Sequence, residues 1–410
     1  MALNILFILF FLTAYIIGLI RLIFFHDATI FPDLINSTFD LAKEGFTLSL
    51  GLVGIMTLWL GFMRIGEKAG IIQILGKVVN PLFKRIFPEL PDGHPAYSSM
   101  LMNIAANMIG LDNAATPLGL KAMQQLQDAN PQKDTASNAQ IMFLVMNTSG
   151  LCIIPVSIMM YRAECGAMNP SDIFIPVILA TFFSTIGGIT ACSIIQRIKI
   201  FDKIILAYFF GITSFIVFII WTFSTLPQES VQTISLVAGN TILFTVIAGF
   251  ILYGVKRKVN IYEAFIEGAK GGFQIGVKII PYIVGILVAI GVFRTSGALN
   301  YLINGLESTL HFFGMNTDFI PALPTGLMRP LSGSGARGFM IDTMNTYGAD
   351  SFVGRLSSIF NGSTDTTFYI LAVYFGSVAI KKTRHAVAAG LIADIIGIIA
   401  SIIIGYIFFY

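Results

Sequence analysis

Apolar runs of about twenty residues recur from one end of this 410-residue chain to the other, and each is long enough to cross a hydrocarbon core of about 30 Å as a helix. With 55% hydrophobic and 11% charged side chains, one soluble core cannot hide so much apolar surface, so its solvent is lipid. The runs are continuous rather than alternating, which excludes a membrane barrel. The fold class expected is an all-α polytopic membrane protein. Nine spans are predicted, over residues 3–24, 46–65, 138–161, 173–195, 203–223, 233–254, 273–293, 352–378 and 385–409. The first lacks a basic start and a small-residue cleavage site, so it is expected to stay as a crossing rather than leave as a signal peptide.

Two further stretches, 95–120 and 320–344, are apolar but broken by Pro, Gly, Asn, Ser and charge. Each reads as a re-entrant hairpin of two half-helices around an irregular tip. Lysine and arginine orient the scheme, because basic loops stay in the cytoplasm. Arg64, Lys68, Lys77, Lys84 and Arg85, then Lys121 and Lys133, then Arg197, Lys199 and Lys203, then Lys256, Arg257, Lys258 and Lys270, and finally Lys381, Lys382 and Arg384 mark that side. The opposite side keeps Arg21, Lys43, Arg162, Arg294, Arg329, Arg337 and Arg355. This places the N-terminus inside and the C-terminus outside, with the first hairpin entering from the cytoplasm and the second from outside.

A weak repeat runs through the chain. Ala42-Lys43-Glu44-Gly45-Phe46 matches Ala269-Lys270-Gly271-Gly272-Phe273, and each opens a span ending in an arginine turn, Met63-Arg64 or Phe293-Arg294. An amphipathic stretch, a broken hairpin and a span with Asn147-Thr148-Ser149-Gly150 or Asn361-Gly362-Ser363-Thr364 follow in both halves. An odd number of crossings separates matching elements, so the expected architecture is two inverted-topology repeats. Broken helices of such repeats meet near the midplane around one site in secondary transporters.

Irregular backbone in lipid leaves amides and carbonyls unpaired at several kcal/mol each, so it persists only where protein, water or a solute satisfies them. The candidate substrate-binding residues are therefore Asn103, Asn107, Asp112, Asn113 and Thr116 of the first hairpin, Arg329, Ser332, Ser334 and Arg337 of the second, and Asn147, Thr148, Ser149, Asn361, Ser363 and Thr364 of the two matching spans. Asp365 and Asp112 are the candidates for coupling Na⁺ or a proton. The competing interpretation is plain capping and hydroxyl back-bonding to the helix. Asp394 and Lys278 also fall in spans, where a structural ion pair or a snorkelling side chain competes with transport. Gly333-Ser334-Gly335-Ala336-Arg337-Gly338 matches the dinucleotide fingerprint in form, but no strand precedes it, so that interpretation is rejected. Free amides at a half-helix start with Arg337 beside them favour a carboxylate or phosphate on the solute.

Other chemistry finds little support. The formal charge of +3 is dispersed, so no nucleic-acid partner is expected. Cys152, Cys165 and Cys192 form no ligand pair, and His26, His94, His311 and His385 stand apart, so neither disulfide, metal nor cofactor is expected. An intramembrane enzyme would need Ser334 as nucleophile and a base within reach, with only His311 on its side. The chain is expected not to be an enzyme. A non-transporting scaffold or gate that regulates a partner is the other alternative, and close-packing glycines suit a homodimer.

The segments Met63-Arg64-Ile65-Gly66-Glu67-Lys68-Ala69-Gly70, Asn103 to Asn107, Gly110-Leu111-Asp112-Asn113-Ala114-Ala115-Thr116-Pro117 and Asn147-Thr148-Ser149-Gly150 resemble the spore maturation A branch of the nucleoside-recognition, or gate-domain, family. Pro330 to Gly338, Tyr347-Gly348-Ala349-Asp350-Ser351 and Asn361-Gly362-Ser363-Thr364-Asp365-Thr366-Thr367-Phe368-Tyr369 resemble the spore maturation B branch. The resemblance implies a fusion, with residues 1–200 A-like, 201–230 a connecting transmembrane helix and 231–410 B-like. It also implies a multi-pass protein of the bacterial cytoplasmic membrane, related to nucleoside and ferrous-iron transporters. The expected function is a transporter or gated pathway for a small polar solute, an anionic one included.

Overall fold

Helix is the dominant regular structure of the computed structural model, which describes residues 2–410 except 92, 110–111, 199–201, 226–227, 313 and 315. The first half runs α1 Ala2–Phe24, α2 Ile30–Ala69, α3 Ile71–Ile86, α4 Pro95–Met108, α5 Asp112–Ala129, α6 Asn138–Thr148, α7 Val156–Glu164 and α8 Phe174–Ile195. After α9, Lys203–Thr225, the second half runs α10 Gln228–Lys256, α11 Ile261–Thr295, α12 Ala298–Phe312, α13 Leu323–Met328, α14 Gly333–Tyr347, α15 Phe352–Ser363, α16 Thr367–Ser377 and α17 Ala386–Phe409. The same order of long, amphipathic, paired short, broken and long helices occurs twice.

Six helices among the described residues are long and apolar enough to cross a membrane: Phe7–Phe24, Ile30–Ala69, Phe174–Ile195, Val237–Lys256, Ile261–Thr295 and Ala386–Phe409. The protein is a multi-pass membrane protein. Two of the nine expected spans are not continuous. Residues 138–161 divide into α6 and α7, because Gly150 takes φ +59° and Pro155 offers no amide to a helix ladder. Residues 352–378 divide into α15 and α16, where Thr364 is extended, at φ −144° and ψ −179°, in a run of polar and β-branched residues. Both expected hairpins are pairs of half-helices, α4 with α5 and α13 with α14.

The second and seventh expected spans are longer than the hydropathy pattern indicated. At 40 residues α2 is about 60 Å long, twice the hydrocarbon thickness, so it tilts steeply or projects beyond the membrane. Lys43, placed above on the outer side, lies within this helix.

Packing of α2 on α11 forms the spine. Gly45 lies against Val284, Val53 against Gly276, Met56 against Gly272 and Leu60 against Gly268, so the two run antiparallel. Gly268, Gly272 and Gly276 recur every four residues on one face, which lets the α2 backbone approach without side chains between. A β-carbon on Gly272 would sit 2.6 Å from the Met56 carbonyl oxygen. Arg64 and Lys68 of α2 clasp Glu267 of α11 at one end. Each half lends its first helix to the other: Phe10 of α1 meets Phe293 of α11 at 4.7 Å between ring centroids, and Phe250 of α10 covers Gly66 of α2. A second antiparallel pair, α8 with α17, closes through Gly187 on Ile396 and Gly188 on Ala393.

Candidate functional site

The two broken helices touch at their breaks. The Asp365 amide donates to the Thr148 carbonyl at 2.7 Å, and Gly150 is packed against Thr364 and Asp365. A β-carbon on Gly150 would lie 3.0 Å from the Asp365 nitrogen, so the contact requires this glycine for its space and its positive φ. The hairpin tips satisfy the rest of the unwound backbone. Ile153 N donates to Met108 O at 2.7 Å in the first half, and Phe368 N donates to Pro330 O at 3.0 Å in the second. Amides that helix geometry leaves without partners are thus closed by the neighbouring hairpin, as buried irregular backbone requires.

On one side of the crossing lies an amide network. Asn107 Nδ2 donates to Asn147 Oδ1 at 2.9 Å, the Tyr374 hydroxyl donates to the same oxygen at 3.2 Å, and Asn103 Nδ2 reaches Ala115 O at 2.8 Å and the Tyr374 oxygen at 3.2 Å. These groups come from α4, α5, α6 and α16, so both halves contribute. Asn103 Oδ1 is buried with no protein partner. Tyr374 escaped the sequence reading, because an aromatic in an apolar run carries no signal until the fold brings it to the asparagines.

On the other side lies a charged network. Arg329 Nε donates to Thr364 O at 2.8 Å, at the carbonyl end of α15 where a cation is favoured, and its Nη2 lies 3.5 Å from Asp365 Oδ1. Asp365 in turn accepts from Thr366 N at 2.7 Å, beside the start of α16, where an anion is favoured. Its side chain is half exposed. Gly333 sits against Arg329 and Thr366, which brings the start of α14 to the same place.

The remaining predicted residues have local roles. Ser332 caps α14 by accepting from Gly335 N at 3.0 Å. Thr148, Ser149 and Ser363 donate back to Val145 O, Met146 O and Phe360 O, the bland alternative foreseen for them. Arg337 Nε donates to Gly333 O of its own helix at 3.1 Å. Ser334 and Arg337 are partly buried along α14, and Thr116 is partly buried in the first turns of α5. Asn361 is buried, with Oδ1 lacking a protein partner. The side chains of Asp112 and Asn113 lie outside the described residues. A cavity of about 170 Å³ is bounded by Arg294, Asn300, Asp342 and Tyr347, apart from the crossing.

Two closures flank the crossing, each joining a loop of one half to a loop of the other. In the first, Arg162 is fully buried and donates to Ala349 O at 2.7 Å and to Asp172 Oδ1 at 2.9 Å, with Asp350 Oδ1 at 3.1 Å. Arg355 Nε donates to Asp172 Oδ2 at 2.6 Å, which makes a neutral cluster of two arginines and two aspartates. In the second, Gln127 links Asn130, Gln140, Lys133 O and Val378 O, and Lys382 pairs with Thr135 as an isolated parallel bridge. The Asp134 carboxyl, 3.2 Å from Lys382 Nζ, is held below the usual carboxylate range, first by the Thr135 hydroxyl and then by Lys382. Ser137 and Ser351, the caps of α6 and α15, occupy matching places beside the two closures. Arg162 of α7, Arg355 of α15 and the loop residues Asp172 and Asp350 lie far apart in the chain, so the first closure was not legible in sequence.

Comparison with known proteins agrees with this architecture. The family model described as nucleoside recognition, the gate domain, matches residues 49–168 and 276–381, together more than half of the chain. Spore maturation protein B of Bacillus subtilis (strain 168) is 51% identical over 159 residues, covering 39% of this chain and 88% of that protein. Spore maturation protein A of the same organism is 41% identical over 157 residues, covering 38% of this chain and 80% of that protein. Both matched segments of the family model include a broken helix and the hairpin that closes it.

Proposed function

The chain belongs to the nucleoside-recognition, or gate-domain, family, and from that membership we propose that it is a transporter, not an enzyme, moving a small polar solute through a site at the crossing of α6–α7 and α15–α16. The observation that carries the proposal is the Thr148–Asp365 contact between two helix breaks, with amides on one flank and an arginine–aspartate pair on the other. Backbone this irregular has a use at membrane depth where a solute exchanges with its hydrogen bonds.

The halves act as inverted repeats in this proposal. Support comes from the antiparallel α2–α11 contact: matching Ala42 to Ala269 puts its centre near Leu52 and Ile279, where equivalent residues approach each other as a two-fold relation requires. The two closures are then equivalent gates on opposite sides, opened in turn. Residues 1–200 supply one repeat, 201–230 the connector and 231–410 the other. The location proposed is the bacterial cytoplasmic membrane, N-terminus inside and C-terminus outside, on the strength of the basic loops.

The amide flank suits a solute with several hydrogen-bonding edges, and the family description makes nucleosides the first class to test. Thermal unfolding of the purified protein against nucleosides, amino acids and carboxylates is the direct experiment. One class is expected to raise the melting temperature saturably, and Arg329→Gln and Asp365→Asn are expected to abolish that rise while the proteins stay folded. Normal solute response in both variants would defeat the site assignment. Labelling of Ser334 by a serine-reactive probe would overturn the exclusion of enzyme chemistry.

A further inference from the structure

Asp394 is the one charged residue in α17, a 24-residue apolar helix, and it is 2% exposed. Its Oδ2 accepts from the Thr367 hydroxyl at 2.7 Å, while Oδ1 is buried with no hydrogen-bond partner. Among the described ion pairs none includes Asp394; the charged groups at the adjoining break, Arg329 and Asp365, are engaged with each other. An ionised carboxylate in such a low-dielectric position calls for a compensating positive charge.

The surroundings are oxygen-rich. Gly390, Asp394 and Gly397 share one face of α17, at spacings of four and three. A β-carbon on Gly390 would meet Thr367 and, at 3.6 Å, the Thr148 hydroxyl; one on Gly397 would meet Thr364 and, at 3.4 Å, the Ser363 hydroxyl. The two glycines therefore let both helix breaks close on the carboxylate. The hydroxyl protons are already committed: Thr148 to Val145 O, Ser363 to Phe360 O and Thr367 to Asp394 itself. What these side chains have left to present is lone pairs, which suit a cation rather than another donor-hungry group.

We infer that Asp394, with Thr367 and the hydroxyls of the two breaks, forms a binding site for one small monovalent cation, Na⁺ being the probe of choice. One carboxylate balances one positive charge. Oxygen donors without nitrogen or sulfur favour a hard ion, and no cluster of three or more His, Cys, Asp or Glu suited to a metal occurs among the described residues. The site moves the coupling ion from Asp365, half exposed and paired with Arg329, to the carboxylate that α17 buries. It deepens the transport proposal and rests on the same crossing: a cation there ties α17 to Thr148 of one half and Thr367 of the other.

The test needs no solute. Thermal unfolding of the full-length protein is followed at fixed pH and ionic strength while sodium chloride replaces choline chloride. The wild type is expected to gain stability saturably, Asp394→Asn to lose the response, and Thr367→Val to need at least tenfold more Na⁺ for half the effect. Asp365→Asn is expected to keep the wild-type Na⁺ midpoint, which separates this result from failure of the solute site. Equilibrium binding of radioactive Na⁺ to the wild type and to Thr367→Val decides the matter should Asp394→Asn not fold. An unchanged midpoint in Asp394→Asn, absence of a saturable Na⁺ effect in the wild type, or stabilisation by acid alone would overturn the inference.

Discussion

Asn147 shows how much one side chain carries in a site built from backbone breaks. Its Oδ1 takes two hydrogen bonds, from Asn107 and Tyr374, while its Nδ2 holds Phe143 O at 2.9 Å. Asn147→Ala strands the buried Tyr374 hydroxyl and the partly buried Asn107 amide, and a loss of about 1–3 kcal/mol is expected for a buried group so stranded. Tyr374→Phe removes one donor and leaves Asn147 its bond to Asn107, so its loss is expected to be the smaller; thermal or denaturant unfolding ranks the two. Asp134 offers a contrast at the surface. Its carboxyl titrates below the usual range, so the stability it contributes is present above the unfolded-state value and is lost as pH falls through the lower folded one. Hydrogen exchange in residues 130–137 and 378–385 is expected to rise under that acid condition before it rises elsewhere.

Helix contacts, rather than single polar groups, hold the halves together. Gly271 and Gly272 are neighbours on α11, yet a β-carbon on Gly271 meets nothing within 4 Å while one on Gly272 strikes the α2 backbone. Gly272→Leu is expected to force the spine apart and cost several kcal/mol, as overpacking at a backbone contact does. Gly271→Leu is expected to leave the melting temperature nearly unchanged. The closures differ in the same quantitative way. Arg162→Met leaves Asp172 and Asp350 to Arg355 alone, and removing one partner from a buried charge cluster costs about 3–5 kcal/mol. Asp134→Asn at the exposed closure is expected to leave the melting temperature nearly unchanged.

At the scale of the whole molecule, the two closures make alternating access testable. Thr135 and Lys382 form a bridge pair, and adjacent strands place α-carbons about 5 Å apart, within the range a disulfide spans. The double variant Thr135→Cys with Lys382→Cys is expected to cross-link under oxidation, to arrest transport and to recover it on reduction. Full activity in the cross-linked protein would mean that this closure never opens. Cysteine labelling from either side checks the orientation: Lys258→Cys is expected to label from the cytoplasm and Met168→Cys, beside the buried arginine closure, from outside.

The amino-acid sequence alone determined the solvent, the helical class, both hairpins and the matched order of elements, because hydropathy and turn chemistry act over a few neighbouring residues. It also selected Asn103, Asn107, Asn147, Arg329 and Asp365, whose polarity is out of place in lipid. The tertiary structure alone decided that 138–161 and 352–378 are broken and that their breaks touch. It brought Tyr374 to the asparagines and gathered Arg162, Asp172, Asp350 and Arg355 into one cluster. It also gave Asp394, an unplaced charge in the sequence, a buried position among hydroxyls. Most of those outcomes depend on contacts between residues far apart in the chain, and no local pattern encodes which of two polar residues will be enclosed when distant helices meet.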